Sequence, residues 1–243
     1  PITKSIYKKL DLLGDKDSLN KHICSGKTSK SGYLGIDIGS TSTNLVVVND
    51  KNEVVDYIYT RTMGKPKDVV LKSMKILKER LGEDFYIKAI GTTGSAREYI
   101  AKIVNAETVV NEITAQSKGA VTVNENVDTI FEIGGQDSKY ISIENGVVKD
   151  FEMNKICAAG TGAFIEEQIK KLGIDLKDFA TLALKGENPS NLGDRCTVFI
   201  EGNIGKSIAQ GESIENISAG LAYSIVKNYL NRVVGNRKIG NTI

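Results

Sequence analysis

"YLGIDIG", "NLVVVND" and "VVDYIYTR" are strand-length apolar runs broken by single polar positions, and turn residues separate the three. That pattern predicts three consecutive β-strands. The period then changes. "KPKDVVLKSMKILKERLG" carries apolar residues at helical spacing and ends on Gly82, a fitting helix stop. "YIKAIGTTG" reads as a strand leaving into a glycine-rich loop, "SAREYIAKIV" as a helix, and "TVVNEITAQSKGAVTV" as a short strand followed by a helix.

At Asp128 the grammar restarts. "DTIFEIGGQDSKYISIENGVVKDFEMN" predicts a strand, a glycine turn, a strand, an Asn-Gly hairpin and a third strand. It repeats the layout of "GYLGIDIGSTSTNLVVVNDKNEVVDYIYTR", so the chain holds an internal repeat of about one hundred residues. From Thr161 onward helical patterns dominate, in "GAFIEEQIKKLG", "LKDFATLALKG", "CTVFIEGNIGKSIAQG" and "ENISAGLAYSIVKNYLNRVVG". Residues 1–32 are polar and weakly patterned, with one short amphipathic stretch, "SIYKKLDLLGD", and they read as a tether. The expected division is a tether over 1–32, a first α/β domain over 33–126 and a second over 127–243, with the boundary near Asn124 to Asp128.

Composition narrows the class without naming a chemistry. Of 243 residues, 40% are hydrophobic and 26% charged, an ordinary globular balance. A net charge of +2 without a basic run gives no reason to propose nucleic acid. No apolar stretch approaches a membrane span and no signal peptide is visible, so a soluble, cytoplasmic protein is expected. Three cysteines, an odd number in so long a chain, argue against a secreted disulfide scaffold.

Two loops carry candidate phosphate chemistry. "GIDIGSTSTN" places Asp37 at a strand end and turns through Gly39 into hydroxyls that include Ser40 and Thr41. Free N–H groups and hydroxyls in a tight turn suit phosphate oxygens, and a nearby carboxylate suits hydrated Mg²⁺. "IGGQDSK" offers a second loop, in which Gly134 and Gly135 allow close backbone approach. Either loop alone is more often just a turn. As a matched pair in a repeat, they are expected to clamp a triphosphate. "GNIGKS" (Gly202–Ser207) imitates the end of a P-loop, but Ile200 stands where that motif needs glycine, and the segment lies in a helical pattern.

The double hairpin with "DIGSTSTN" and "IGGQDSK" resembles the acetate kinase, sugar kinase, heat-shock chaperone and actin superfamily. That resemblance implies an α/β fold: a duplicated actin-like (RNase H-like) ATPase of two α/β domains, the second shortened at its C-terminus. "NKICAAGTGAFIEEQ" followed by "GDRCTVFIEGNI" is more particular. It looks like the activator (component A) of 2-hydroxyacyl-CoA dehydratases, close to the ATPase subunits of benzoyl-CoA reductase, over about Tyr33 to Ile243.

What the resemblance implies is an ATP-driven electron gate. A homodimer would share one [4Fe–4S] cluster, with Cys157 and Cys196 of each copy as ligands, and a cluster of that type needs four thiolates. Taken alone, the spacing of the two cysteines favours small buried hydrophobes, and two cysteines per chain suit a dimeric zinc site as well as a cluster. Cys24 lies outside the resemblance and is read as a non-ligand. Asp37 is assigned to hydrated Mg²⁺, Gly39, Ser40 and Thr41 to phosphate, and Gly134, Gly135 and Gln136 to the γ-phosphate side of ATP or ADP. Gln136 would orient the attacking water, with Glu112 and Asp137 as weaker candidates. The implied partners are a 2-hydroxyacyl-CoA dehydratase or related acyl-CoA reductase, with reduced ferredoxin or flavodoxin as electron donor. The chain departs from the family at Asn44, where lysine is frequent, and at Gln116, where histidine is frequent. It also stops at "KIGNTI", before an expected adenosine-binding Gly-Gly loop, so it reads as a fragment. The rivals are a nucleotide-binding module without turnover and a small-molecule kinase of the same superfamily.

Overall fold

The computed structural model describes residues 28–154 and 160–243. The amphipathic stretch Ser5–Asp15 lies outside the described residues, as do Cys24 and Cys157. Two compact units divide the chain, the first ending at Val127 and the second beginning at Asp128.

The first unit begins with a meander of β1 (Ser31–Ile38), β2 (Ser42–Val48) and β3 (Val54–Arg61). Helix α1 (Pro66–Leu81), β4 (Tyr86–Thr93), α2 (Arg97–Val104), the short β5 (Thr108–Val109) and α3 (Glu112–Val123) follow. The sheet order is β3-β2-β1-β4-β5, with β2 antiparallel to both neighbours and β4 parallel to β1 and β5. Alternation along β1 sends Leu34, Ile36 and Ile38 to one face, where they join Leu45, Val47 and Val55 under Val70 and Leu77 of α1 and Ile100 of α2. The pleat therefore puts Asp37 on the opposite face, beside its register partners Asn44 and Thr93. Proline in its first turn and a left-handed glycine after its last, Gly82 at φ 86°, bound α1.

The second unit repeats the meander in a sheet ordered β6 (Thr129–Ile133), β7 (Ser138–Glu144), β8 (Val147–Met153). Asn145 and Gly146 both take positive φ, 53° and 75°, the backbone that a two-residue hairpin turn demands. Helices α4 (Gly162–Lys171), α5 (Leu176–Lys185), α6 (Thr197–Ala209) and α7 (Ile214–Tyr229) follow. Phe164 and Ile169 of α4, Ile200 and Ile204 of α6, Ile217, Leu221 and Ile225 of α7, and Leu192 share one core. The sequence predicts a single last helix. The structure instead ends α7 at Tyr229 and continues in a π-helical turn, Leu230–Val234, closed by Gly235 N–H on the Leu230 carbonyl at 2.8 Å. That turn brings Val233 and Val234 into the cluster of Tyr140 and Tyr229. "GNIGKS" lies wholly inside α6, so it forms no phosphate loop. Among the described residues no helix is long and apolar enough to cross a membrane.

Candidate functional site

The β1–β2 turn is braced from beneath by two buried hydroxyls. Thr62 donates its Oγ1 to the Gly39 carbonyl at 2.8 Å, so the 2.9 Å contact between Thr43 and Thr62 hydroxyls has Thr43 as donor. Thr62 N–H also reaches the Thr41 carbonyl at 3.0 Å. Gly39 N–H bonds the Ser42 carbonyl at 2.9 Å, while Ser40 and Thr41 N–H make no backbone bond among the described residues. Those two N–H groups and their hydroxyls are the donors the turn can offer an anion.

Asp37 stands at the exit of β1 in a crowded place. Asn44 Nδ2 donates to its Oδ2 at 3.4 Å. Gly94, with φ 87°, lies so close that a Cβ there would come within 2.5 Å of Asp37 Oδ1 and 2.6 Å of the Ile38 carbonyl. The Thr93 hydroxyl, register partner of Asp37, is buried with no hydrogen-bond partner among the described residues. A carboxylate beside an unsatisfied hydroxyl and a hydroxyl-rich turn fits hydrated Mg²⁺ with phosphate. Glu112 opens α3 in the same unit. There the Asn111 side chain caps the helix by accepting Ile113 N–H at 2.9 Å, and Gln116 stands one turn after Glu112.

In the second unit the β6–β7 turn is closed by Gly134 N–H on the Asp137 carbonyl at 2.8 Å. A side chain on Gly134 would meet that carbonyl at 2.9 Å and Asp137 Oδ1 at 3.1 Å. The first turn of α4 is spent on the loop, since Gly162 N–H reaches the Gly134 carbonyl at 2.8 Å and Ala163 N–H the Gly135 carbonyl at 2.7 Å. Gly135 and Gln136 N–H make no backbone bond among the described residues. Lys139, 2% exposed, sits below with Nζ 2.9 Å from Glu132 Oε2 and 3.1 Å from Asp137 Oδ2. Burial alone would lower the pKa of Lys139, but the paired carboxylates outweigh it and hold it above the ordinary lysine value.

Cys196 is a free, partly exposed thiol at the N-cap of α6, and its side chain makes no cap hydrogen bond. A thiol spent on neither a disulfide nor a cap fits a metal-binding role. Among the described residues no three His, Cys, Asp or Glu side chains gather as a metal site.

Besides the bracing Thr62, three contributors escaped the sequence reading. Gly94 and Thr93 belong to "GTTG", visible as a glycine loop after a strand, yet only the β1–β4 register ties them to Asp37. Lys139 gave no signal, because a lysine in a strand ordinarily reads as solvent-facing. An apolar cleft of about 410 Å³ between α1 and its sheet, lined by Leu34, Val47, Met74, Leu77 and Phe85 among others, includes none of the loop residues.

A duplicated β-meander with a hydroxyl- or glycine-rich turn between its first two strands defines an actin-like ATPase fold. The particular family is the BadF/BadG/BcrA/BcrD ATPase family, which matches residues 34–239, and the chain belongs to it. The (R)-2-hydroxyglutaryl-CoA dehydratase activating ATPase of Acidaminococcus fermentans is 32% identical over 208 residues, which cover 83% of this chain and 75% of that protein. Uncharacterized protein MJ0800 of Methanocaldococcus jannaschii is 31% identical over 213 residues; the match takes in 85% of this chain but only 51% of that longer protein. Among solved structures, the activator of the 2-hydroxyisocaproyl-CoA dehydratase from Clostridium difficile, with bound ADPNP, superposes with a TM-score of 0.76 at 27% identity. That superposition covers 86% of this chain and 77% of the activator.

Proposed function

We propose that this chain is the ATPase part of an activator that uses ATP hydrolysis to deliver a low-potential electron to a 2-hydroxyacyl-CoA dehydratase or a benzoyl-CoA reductase-like partner. The observation that carries this reading is the pairing of two braced turns, Gly39–Thr41 and Gly134–Asp137, in a chain 32% identical to a dehydratase-activating ATPase.

Asp37 would hold hydrated Mg²⁺, with the Thr93 hydroxyl gaining the partner it lacks. The Ser40 and Thr41 N–H groups would bind phosphate, as would those of Gly135 and Gln136 on the γ side, with Gly134 keeping their turn closed. Gln136 would orient the attacking water. Asp137 is engaged by Lys139, which favours Gln136 over Asp137 for that task, and Glu112 stays the alternative acceptor. Cys157 and Cys196 from each of two copies would ligate a [4Fe–4S] cluster, and reduced ferredoxin or flavodoxin would recharge it. The cluster supplies a one-electron carrier when bound. Domains 33–126 and 127–243 would each contribute one phosphate turn.

Turnover of ATP with Mg²⁺ tests the assignment. Gln136→Ala is expected to lower kcat about a hundredfold with KM little changed, since it acts on the water and not on binding. Asp37→Ala should instead weaken Mg²⁺ dependence and nucleotide affinity. Full activity in Gln136→Ala, or phosphoryl transfer to an added sugar or carboxylic acid, would contradict it.

A further inference from the structure

One face of α7 is polar although it is buried. Ser224 and Asn228, four residues apart and both buried, stack on a single side of the helix, and the exposed Asn231 follows in the π turn. Ser224 Oγ donates to the Gly193 carbonyl at 2.5 Å. Asn228 Nδ2 donates to the Asp194 carbonyl at 2.7 Å and the Arg195 carbonyl at 3.2 Å. Asn231 Nδ2 reaches Asp194 Oδ2 at 2.5 Å. One turn before Ser224, Gly220 lies against the Ser190 carbonyl, where any side chain would collide. The helix thus grips residues 190–195, the peptide that leads directly into Cys196.

Asn228 does more than grip. It is 2% exposed, and its Oδ1 lies against Gly160, where a Cβ would meet Oδ1 at 2.8 Å and Asn228 Cγ at 3.7 Å. The Gly160 carbonyl in turn accepts Ser138 Oγ at 2.5 Å. Ser138 is the first residue after the Gly134–Asp137 turn. One side chain therefore touches the peptide before Cys196 and the glycine that Ser138 ties to the β6–β7 turn.

We infer that Asn228 is a positioning residue for the Cys196 thiol, and that Gly160 lacks a side chain so that Asn228 can reach its two carbonyls. The Cys196 side chain caps nothing itself, so its place depends on how firmly 193–195 is held. A buried polar strip is a poor choice for stability alone, because apolar packing would hold two elements together at least as well. Its hydrogen bonds fix a direction, which apolar contact does not. The role in metal ligation rests on Cys196 being a cluster ligand, whereas the control of Cys196 by Asn228 does not.

The test is the alkylation rate of Cys196 in the 243-residue chain, mapped by peptide mass, with melting temperature and bound iron measured on the same samples. Asn228→Ala should raise the metal-free alkylation rate about fivefold, the local loosening that one lost buried hydrogen bond permits. Gly160→Ala should do the same by displacing Oδ1, and serves alone if Asn228→Ala does not fold. Combining them removes the clash without restoring the donors. The double variant should therefore recover melting temperature relative to Gly160→Ala while Cys196 stays fast to alkylate. Alkylation that is unchanged in Asn228→Ala, or that simply follows melting temperature across the set, would overturn the inference. Wild-type chain that takes up no iron, with Asn228→Ala still accelerating alkylation, would remove the cluster reading and leave the positioning role standing.

Discussion

Lys139 stands 2% exposed on β7 with its ammonium between Glu132 and Asp137. Sequence alone cannot place such a residue, because "SKYISI" reads as ordinary alternation while β7 is in fact buried on both faces along most of its length. The place of Asp37, by contrast, was legible, since a strand pattern ending in a carboxylate before a glycine turn puts it at the exit of β1. Thr62 escaped notice for a third reason: it braces Gly39 from the end of a different strand. Lys139→Met should leave two carboxylates facing each other without their cation. Because Glu132 is 24% and Asp137 43% exposed, water can take up part of the loss, and stability to urea should fall by about 1–3 kcal/mol. The raised pKa fixes the sign with pH. The contribution of Lys139 is complete below the ordinary lysine value and is lost only as pH climbs through the raised one. A variant as stable as wild type at neutral pH would show that the pair is dispensable.

Elements were easier to read than their ends. The three-strand runs, the stop at Gly82 and the Asn145–Gly146 turn all rest on local backbone requirements that a short window displays. The π turn after α7 does not, because its cause is tertiary: Tyr229 Oη donates to the Lys139 carbonyl at 2.7 Å and Val233 and Val234 are buried beside it. The last residues are also held at a distance in sequence. Asp128, at the head of β6, accepts Asn241 N–H at 2.8 Å and Thr242 N–H at 3.3 Å, while its own N–H bonds the Thr242 carbonyl at 3.0 Å. These bonds, Asn241 first, hold the Asp128 pKa below the ordinary carboxyl value. A depressed carboxyl stabilises above its unfolded pKa of about 3.9 and loses that contribution as pH falls through its folded one. Asp128→Asn should accordingly strip amide-exchange protection from Asn241 and Thr242 at neutral pH, while leaving that of α7 intact. Unchanged protection would mean the tail is held by other contacts.

At the scale of the whole chain, the duplication was the most legible feature, because each half restarts with the same strand, turn and hairpin. The family followed from the segments around Cys157 and Cys196, which match an activator more closely than the general fold does. The proposed ligand set would need a second copy to complete it, and among the described residues no metal-binding group gathers. The match also spans only about half of one relative, 51% of protein MJ0800. The most direct measurement is iron and acid-labile sulfide per chain after strictly anaerobic reconstitution, with oligomer mass taken on the same sample. About four irons and four sulfides per dimer are expected, as a [4Fe–4S] cluster shared by two copies requires, with their loss in Cys196→Ala while the fold stays intact. Metal-free monomers would contradict the shared cluster.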